Sequence, residues 1–266
     1  MKKLKHILLK IYRSTTVRGV FAVSVLFFII SFAGKKQEER VCRFVDVRIK
    51  EEFDNYFIDK EDVMDLLSLN NREPLVGRSY NVLRLKELEK RVKSNPLVED
   101  AEVYRDLQGH LIVDVIQSRP IARIQTRLNG SWYISDKGKV VPTSPKYTAR
   151  VPVIMGDYAW KLLNVDFKKD TSHARLFEML TMVDNDPFLK ALVSDIEMDI
   201  DHVADSTAEI TIYPQLGNFV INYGNMERPV EKLRNIKIAY NEILPVKGWD
   251  TYNRINIKYK NQIICD

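Results

Sequence analysis

The chain has 266 residues and a formal charge of +5, with 45% hydrophobic and 29% charged residues. This composition supports packed cores and excludes a disordered chain. Residues 1–34 hold six Lys and Arg and no acid, which leaves 35 cations and 36 acids in the remaining 232 residues. Because that larger part is nearly neutral, a basic nucleic-acid-binding face on it has little support from composition.

An apolar segment follows the basic N-terminus. Sixteen uncharged residues, 19–34, separate Arg18 from Lys35. As a helix they span about 24 Å, less than the roughly 30 Å of a bilayer core, but flanking cations can snorkel. We predict a basic cytoplasmic tail over 1–18, a transmembrane helix over 19–34 and an extracytoplasmic body. A signal peptide cleaved near Ala33 is the alternative.

Residues 41–119 predict a compact β-α-α-β-β unit. Alternating apolar residues indicate strands at Val41–Ile49, Val98–Arg105 and His110–Gln117. Apolar residues at helical spacing indicate helices around Val63–Leu67 and Leu85–Val92. Two helices on one face of a three-stranded sheet satisfy the layer rule for small domains.

Residues 120–266 predict a larger β-domain with flanking helices, so the fold class expected for the chain is α+β. We take Pro120 as the end of a strand, and Ser172 as the cap of a helix. Pro229 is expected in the first turn of another helix, which Leu244-Pro245 and Gly248 should end. Hairpins are expected at Asp136–Gly138 and Gly217–Asn218, and closing strands at Tyr252–Tyr259 and Gln262–Cys265.

Asp195–Asp201 alternates strictly and carries four acids. A calcium loop of the EF-hand type needs glycine at its sixth position, where this segment has Ile200. We therefore predict a strand with an acidic surface, and no metal site.

Cys42 and Cys265 are too few for a disulfide scaffold or a zinc cluster. One long-range bridge and two free thiols both remain open.

The order of short motifs resembles the POTRA domain and β-domain of the FtsQ/DivIB cell-division family. The motifs run from the second helix through an Arg-Pro segment to Trp132–Pro142 and Val151–Gly156. The resemblance implies a POTRA-like domain at 41–119 and a β-domain at 120–266. The matching positions in the first part are Pro96, Val98, Ala101, Val103, Arg105, Gly109, Arg119, Pro120, Ala122 and Ile124.

The C-terminus resembles the closing Val-Asp-Leu-Arg-Tyr strand of that family. This chain has Ile-Asn-Ile-Lys-Tyr at 255–259, with Asn256 in place of Asp and Lys258 in place of Arg. The resemblance implies that this edge accepts a strand from an FtsB/DivIC-like partner by β-augmentation. The partner contacts we expect are Lys258, Tyr259, Asn261 and Ile264.

The sequence contains no G-x-S-x-G, H-E-x-x-H, P-loop or G-x-G-x-x-G motif. We expect no enzyme, no cofactor, no small-molecule substrate and no nucleic-acid partner. The family resemblance implies a single-pass scaffold of the inner membrane, concentrated at the septum. Its partners would be FtsB/DivIC-like and FtsL-like proteins and the septal peptidoglycan synthase complex. A POTRA-containing factor of polypeptide transport or outer-membrane assembly is one alternative, and a cleaved secreted enzyme is another.

Overall fold

A computed structural model describes most of the chain. The described residues are 19, 21, 23–29, 41–50, 56–70, 72–171, 173–200 and 208–266. The predicted tail, 1–18, lies outside them, as do 20, 22 and 30–34 of the predicted transmembrane helix. Residues 19, 21 and 23–29 are helical. Among the residues that the structure describes, no helix is both long enough and apolar enough to cross a bilayer.

The chain divides into two compact units. The described residues of the first unit fall within residues 1–48, 60–92 and 101–114. Those of the second unit fall within residues 49–59, 93–100 and 115–266. Runs of helices alternate with runs of mostly antiparallel strands, in line with the predicted α+β class.

A three-stranded sheet with two helices forms the β-α-α-β-β segment. Among the described residues its strand order is β1-β3-β2. The amphipathic second helix buries Leu88 and Val92 and exposes Lys86, Glu87, Lys90 and Lys93. The elements are β1 (Phe44–Lys50), α1 (Lys60–Ser68), α2 (Leu85–Lys93), β2 (Val98–Arg105) and β3 (His110–Gln117).

The second unit is built on a mixed sheet. In the described part of the chain its nine strands lie in the order β12-β11-β10-β9-β8-β7-β4-β5-β6. The pairs β4–β7, β7–β8 and β10–β11 are parallel. The strands are β4 (Pro120–Thr126), β5 (Gly130–Ser135), β6 (Val140–Pro142), β7 (Val153–Met155), β8 (Val193–Ile200), β9 (Ala208–Pro214), β10 (Val220–Gly224), β11 (Arg254–Asn256) and β12 (Ile264–Cys265).

A row of isoleucines runs across six neighbouring strands of this sheet. Each member is directly opposite the next in the strand register, and none is more than 1% exposed. Branched side chains pack well on a pleated surface, so this row forms the spine of the core. Its members are Ile124, Ile154, Ile196, Ile212, Ile221 and Ile255.

Helical segments cover the sheet and contribute buried side chains such as Leu176, Leu180 and Ile236. Asp186 caps α4 by accepting from the N–H groups of Phe188 and Leu189. The segments are a 3-10 helix (Ala159–Asn164), α3 (Ala174–Asn185), α4 (Pro187–Leu192), α5 (Pro229–Ile238), a π-helix (Ala239–Ile243) and α6 (Leu244–Lys247).

Several local predictions need correction. Val41 makes only an isolated bridge with Ser79, and β1 begins at Phe44. Pro120 opens β4 and does not end a strand, as suits a residue without an N–H. The predicted cap Ser172 lies outside the described residues, and His173 precedes α3 without a side-chain capping bond.

Two corrections concern the C-terminal third. Pro245 does not end its helix, because the π-helix before it carries the chain into α6, which ends at Lys247. The strand expected over Tyr252–Tyr259 is confined to the three residues of β11. The side chain of Asn256 accepts from the N–H of Lys258 at 3.1 Å, so the chain turns there.

Candidate interaction edge

Strand β12 is the outer strand at one edge of the nine-stranded sheet. Arg254 and Asp266 exchange two backbone hydrogen bonds, of 3.2 and 2.9 Å, and Ile255 lies opposite Cys265. Antiparallel pairs alternate between bonded and non-bonded positions. The N–H and C=O of Cys265 therefore point away from β11, toward the side on which a further strand could pair.

The four predicted contact residues lie at one end of this edge. Lys258, Tyr259 and Asn261 lie in the turn between β11 and β12, and Ile264 begins β12. Tyr259 is 47% exposed and Ile264 is 38% exposed, which is high for large apolar side chains. The structure thus places Ile264 on the edge strand itself and the other three residues beside it.

Lys258 is held in place through its backbone. Its N–H donates to Asn256 Oδ1, and its C=O accepts from Nη2 of Arg228 at 2.9 Å. Gly224 has a φ of +77°, and a Cβ there would lie 2.6 Å from the Cβ of Lys258. Only glycine permits this approach. The Lys258 ammonium lies 5.3 Å from the centroid of the Tyr259 ring, within cation–π range.

Asn261 has a left-handed backbone, with φ of +57°, and its N–H donates to Oε1 of Glu231 at 2.7 Å. The guanidinium of Arg228 donates to the same carboxylate at 3.3 Å. The Asn261 N–H, with the charge of Arg228, lowers the pKa of Glu231. The start of α5 therefore fixes both Lys258 and Asn261.

A buried lysine supports that helix start. Lys232 is fully buried, and its Nζ donates to the backbone oxygen of Asn225 at 2.7 Å and to Asn225 Oδ1 at 2.9 Å. It also lies 4.5 Å from the centroid of the Tyr223 ring. Burial lowers the pKa of Lys232 to about 8. These bonds hold the turn that carries Arg228.

Sequence reasoning missed Lys232, Glu231 and Arg228. A signal for Lys232 was present, because it lies three residues after Pro229 and four before Ile236, on the apolar face of α5. A lysine on such a face must bury its ammonium or leave the helix face unpacked. No comparable signal marked Arg228 or Glu231, since Lys258 and Asn261, which they bind at the edge, lie thirty residues later.

The acidic side chains of β8 have partners on the neighbouring strand β9 and in the segment after β7. Glu197 accepts from the hydroxyl of Tyr213 at 2.6 Å, and Asp199 accepts from the N–H of Asp157 at 3.2 Å. Asp201 lies outside the described residues. Across the residues with a described position, no group of three His, Cys, Asp or Glu side chains could hold a metal ion. Cys42 and Cys265 are both free thiols.

Comparison with known families gives two matches. Residues 40–116 match the model of a POTRA-like domain, and residues 119–266 match that of the FtsQ/DivIB, C-terminal related family. The second match covers more than half of the chain. The chain belongs to the FtsQ/DivIB family. No curated protein matches it. The resemblance drawn from the sequence motifs is thus confirmed.

The Arg-Pro motif has a structural role in this FtsQ/DivIB chain. Nη2 of Arg119 lies 2.6 Å from Oδ2 of Asp184, and Lys190 lies 2.8 Å from the other carboxylate oxygen. The Asp184 side chain is only 4% exposed. This ion pair joins the start of β4 to the end of α3, because the buried carboxylate of Asp184 needs charged partners.

In the closing motif of this FtsQ/DivIB chain, the apolar side chains and the polar side chains point to different sides. Ile255 and Ile257 are buried, whereas Asn256 and Lys258 are partly exposed and Tyr259 is exposed. The isoleucines therefore complete the core, and the polar positions face the turn that leads to β12.

Proposed function

We propose that this FtsQ/DivIB chain is a bitopic membrane scaffold of the bacterial division machinery. It would recruit FtsB/DivIC-like and FtsL-like partners, and through them the septal peptidoglycan synthase complex. Family membership supports the role in cell division. The observation that carries the recruiting role is the edge strand β12, where the backbone of Cys265 is directed outward.

The proposed topology has a cytoplasmic tail (1–18), a membrane helix (19–34), a POTRA-like domain (41–119) and a β-domain (120–266). Helical residues 23–29 support the anchor. Six of the seven are large and apolar, and all seven are exposed. A helix that is apolar all round is typical of a membrane span. The six preceding cations favour a cytoplasmic N-terminus and an extracytoplasmic body.

The proposed mode of recruitment is strand addition to β12. A partner strand would pair with the outward N–H and C=O of Cys265 while its side chains contact Ile264 and Tyr259. Lys258 and Asn261 would set the end of the new pairing, because both are fixed to the start of α5. The role needs no catalytic group, in line with the non-catalytic role of the family.

Depletion of the protein from its native cells tests the division role. Filamentation with continued growth is the expected result, and normal septation would contradict the proposal. The partners are identified by a pull-down from membranes with the full chain as bait. Co-purification of small bitopic division proteins is expected, whereas capture of an outer-membrane assembly protein in their place would favour the transport alternative.

A matched pair of variants tests strand addition. C265P removes the outward N–H, and an edge position that faces solvent tolerates proline. C265A removes the same thiol but keeps the N–H. We expect C265P to lose the partner in the pull-down and C265A to retain it, with both variants folded by circular dichroism. Equal capture by the two would show that the partner does not pair with β12.

A further inference from the structure

Three segments of the first unit meet at the point where the chain enters it. The N–H of Cys42 donates to the C=O of Arg78 at 2.8 Å, and the N–H of Gly77 donates to the C=O of Cys42 at 2.7 Å. The N–H of Arg43 donates to the C=O of Gly109 at 3.0 Å. Residues 41–44, the loop 76–82 and the β2–β3 turn at 105–109 therefore form one surface.

This surface exposes large apolar side chains. Leu107 at the tip of the turn is 83% exposed and Val82 is 64% exposed. Isolated exposed apolar residues are ordinary, but a group on adjoining loops indicates a contact surface. We call it the entry face, which consists of Val41, Phe44, Val76, Val82 and Leu107 with Arg43, Arg78 and Arg105.

The charge of the entry face is positive. Residues 41–44, 76–82 and 105–109 contain three arginines and one acid, Asp106. Both carboxylate oxygens of Asp106 accept hydrogen bonds within the turn and from His110, which lowers the pKa of Asp106. Arg43 is exposed and Arg78 and Arg105 are partly exposed beside these apolar tips, with Arg105 lying 5.5 Å from the centroid of the Tyr80 ring. Basic side chains beside apolar ones are the combination by which interfacial proteins bind anionic lipid surfaces.

The distance to the proposed anchor is short. Only residues 35–40 separate the proposed membrane helix from Val41. A fully extended chain covers at most about 25 Å between residues 34 and 41. If 19–34 is the anchor, Val41 must therefore remain within that distance of the bilayer surface, which keeps the entry face that contains Val41 close to the lipid.

We propose that the entry face rests on the anionic lipid surface of the membrane. This inference depends on the anchor in the proposed function and adds a second point of membrane contact to it. Val82 and Leu107 enter the interfacial region, while Arg43, Arg78 and Arg105 lie among the headgroups. Contact at this face limits the rotation of the first unit about the short connection to the anchor.

Lipid contact can be measured in the full chain reconstituted in vesicles of phosphatidylethanolamine and phosphatidylglycerol. A fluorophore is attached at L107C or at V82C in a C265S background, because the other thiol, Cys42, is fully buried. R48C is the matched control. Arg48 is exposed on β1, about 13 Å along the strand from Phe44. The readout is quenching by brominated lipid.

We expect brominated lipid to quench the fluorophore at positions 82 and 107 and to leave the fluorophore at position 48 unquenched. Equal quenching at all three positions, or none at 82 and 107, would overturn the lipid contact. Protection of 82 and 107 only after a partner protein is added would also overturn it. The outcomes separate the two proposals, since failure of the chain to float with vesicles removes the anchor itself, whereas flotation without quenching removes only the contact.

The arginines are tested in the same system. Replacing Arg43 and Arg78 by glutamine should reduce quenching at position 107, and uncharged phosphatidylcholine vesicles should have the same effect on the unaltered face. Quenching that is independent of both changes would overturn the role given to the arginines.

Discussion

The backbone N–H of Asn261 donates to Glu231 Oε1 at 2.7 Å, across thirty residues of sequence. Through this bond the first turn of α5 determines the shape of the turn that leads into the edge strand. Arg228, on the same helix start, binds the carbonyl of Lys258. The candidate contact residues are therefore fixed by side chains that a partner need not touch.

Loss of this carboxylate should weaken partner binding without unfolding the protein. E231A removes the acceptor for the Asn261 N–H and releases the turn. We expect reduced partner capture and a nearly unchanged thermal midpoint. E227A is the control, since Glu227 is an exposed acid four residues earlier. Similar capture by E231A and E227A would show that the turn does not need this bond.

A charge at Tyr259 should abolish capture if its ring lies in the interface. Y259D places a carboxylate beside the edge, where an apolar contact is expected. L216D adds the same charge at an exposed apolar residue between β9 and β10 and should bind normally. Deletion of 261–266 removes β12 and should also prevent capture. Normal binding by the truncated chain would count against strand addition.

Gly224 offers a test of the close approach to Lys258. Alanine at a left-handed position costs about 1–2 kcal/mol of strain, and G224A adds a clash with the Cβ of Lys258. Gly130 is the matched control, because its φ is +71° and a Cβ there meets nothing within 4 Å. In urea unfolding, G224A should lose more stability than G130A. Equal losses of stability in G224A and G130A would mean that backbone strain determines the effect and the clash with Lys258 adds nothing.

The strand and helix pattern of the chain could largely be predicted from local sequence. His110–Gln117 forms a strand with the predicted bounds, and Pro229 begins α5 as its position in the pattern indicates. Short elements were missed. The three residues of β7 are too few for a periodic pattern, and α4 depends on the Asp186 cap.

The site was less predictable because its geometry depends on distant pairings. Alternation around Ile255 indicated a strand, but not that β11 pairs in parallel with β10 or that β12 lies outside it. Those relations depend on pairings between strands far apart in sequence, such as Ile154 with Ile196 and Ile221 with Ile255. A local pattern carries no information about such order.

The buried Lys232 should make stability depend on pH. Its folded pKa of about 8 lies below that of an unfolded lysine. The unfolded chain therefore holds more protons between about pH 8 and 10.4, and stability rises with pH across that window, by at most about 3 kcal/mol. The free energy of unfolding of K232M across the same pH window is the reference, because the tyrosines and cysteines of this variant titrate as they do in the unaltered protein. If stability depends on pH with the same slope in K232M as in the unaltered protein, the role given to Lys232 is contradicted.

Asp184 should stabilise the second unit. D184N removes the charge that pairs with Arg119 and Lys190. The lost charge-assisted bonds should cost roughly 1.5–3 kcal/mol, because Arg119 is partly exposed and keeps Asp136 at 3.6 Å. D166N, which breaks the exposed pair with Lys169, should change stability very little. Chemical denaturation measures both. An effect of D184N no larger than that of D166N would mean that Asp136 and water replace the lost partner of Arg119.

The short pairing of β12 has a thermodynamic consequence for recognition. This strand contacts β11 through only two register pairs, so it is expected to open more readily than the isoleucine row beneath it. An incoming strand that binds only the closed form would also order β12, and the measured affinity would include the free energy of that ordering. Substitutions that shift the local opening equilibrium could then tune binding strength without altering any contact with the partner.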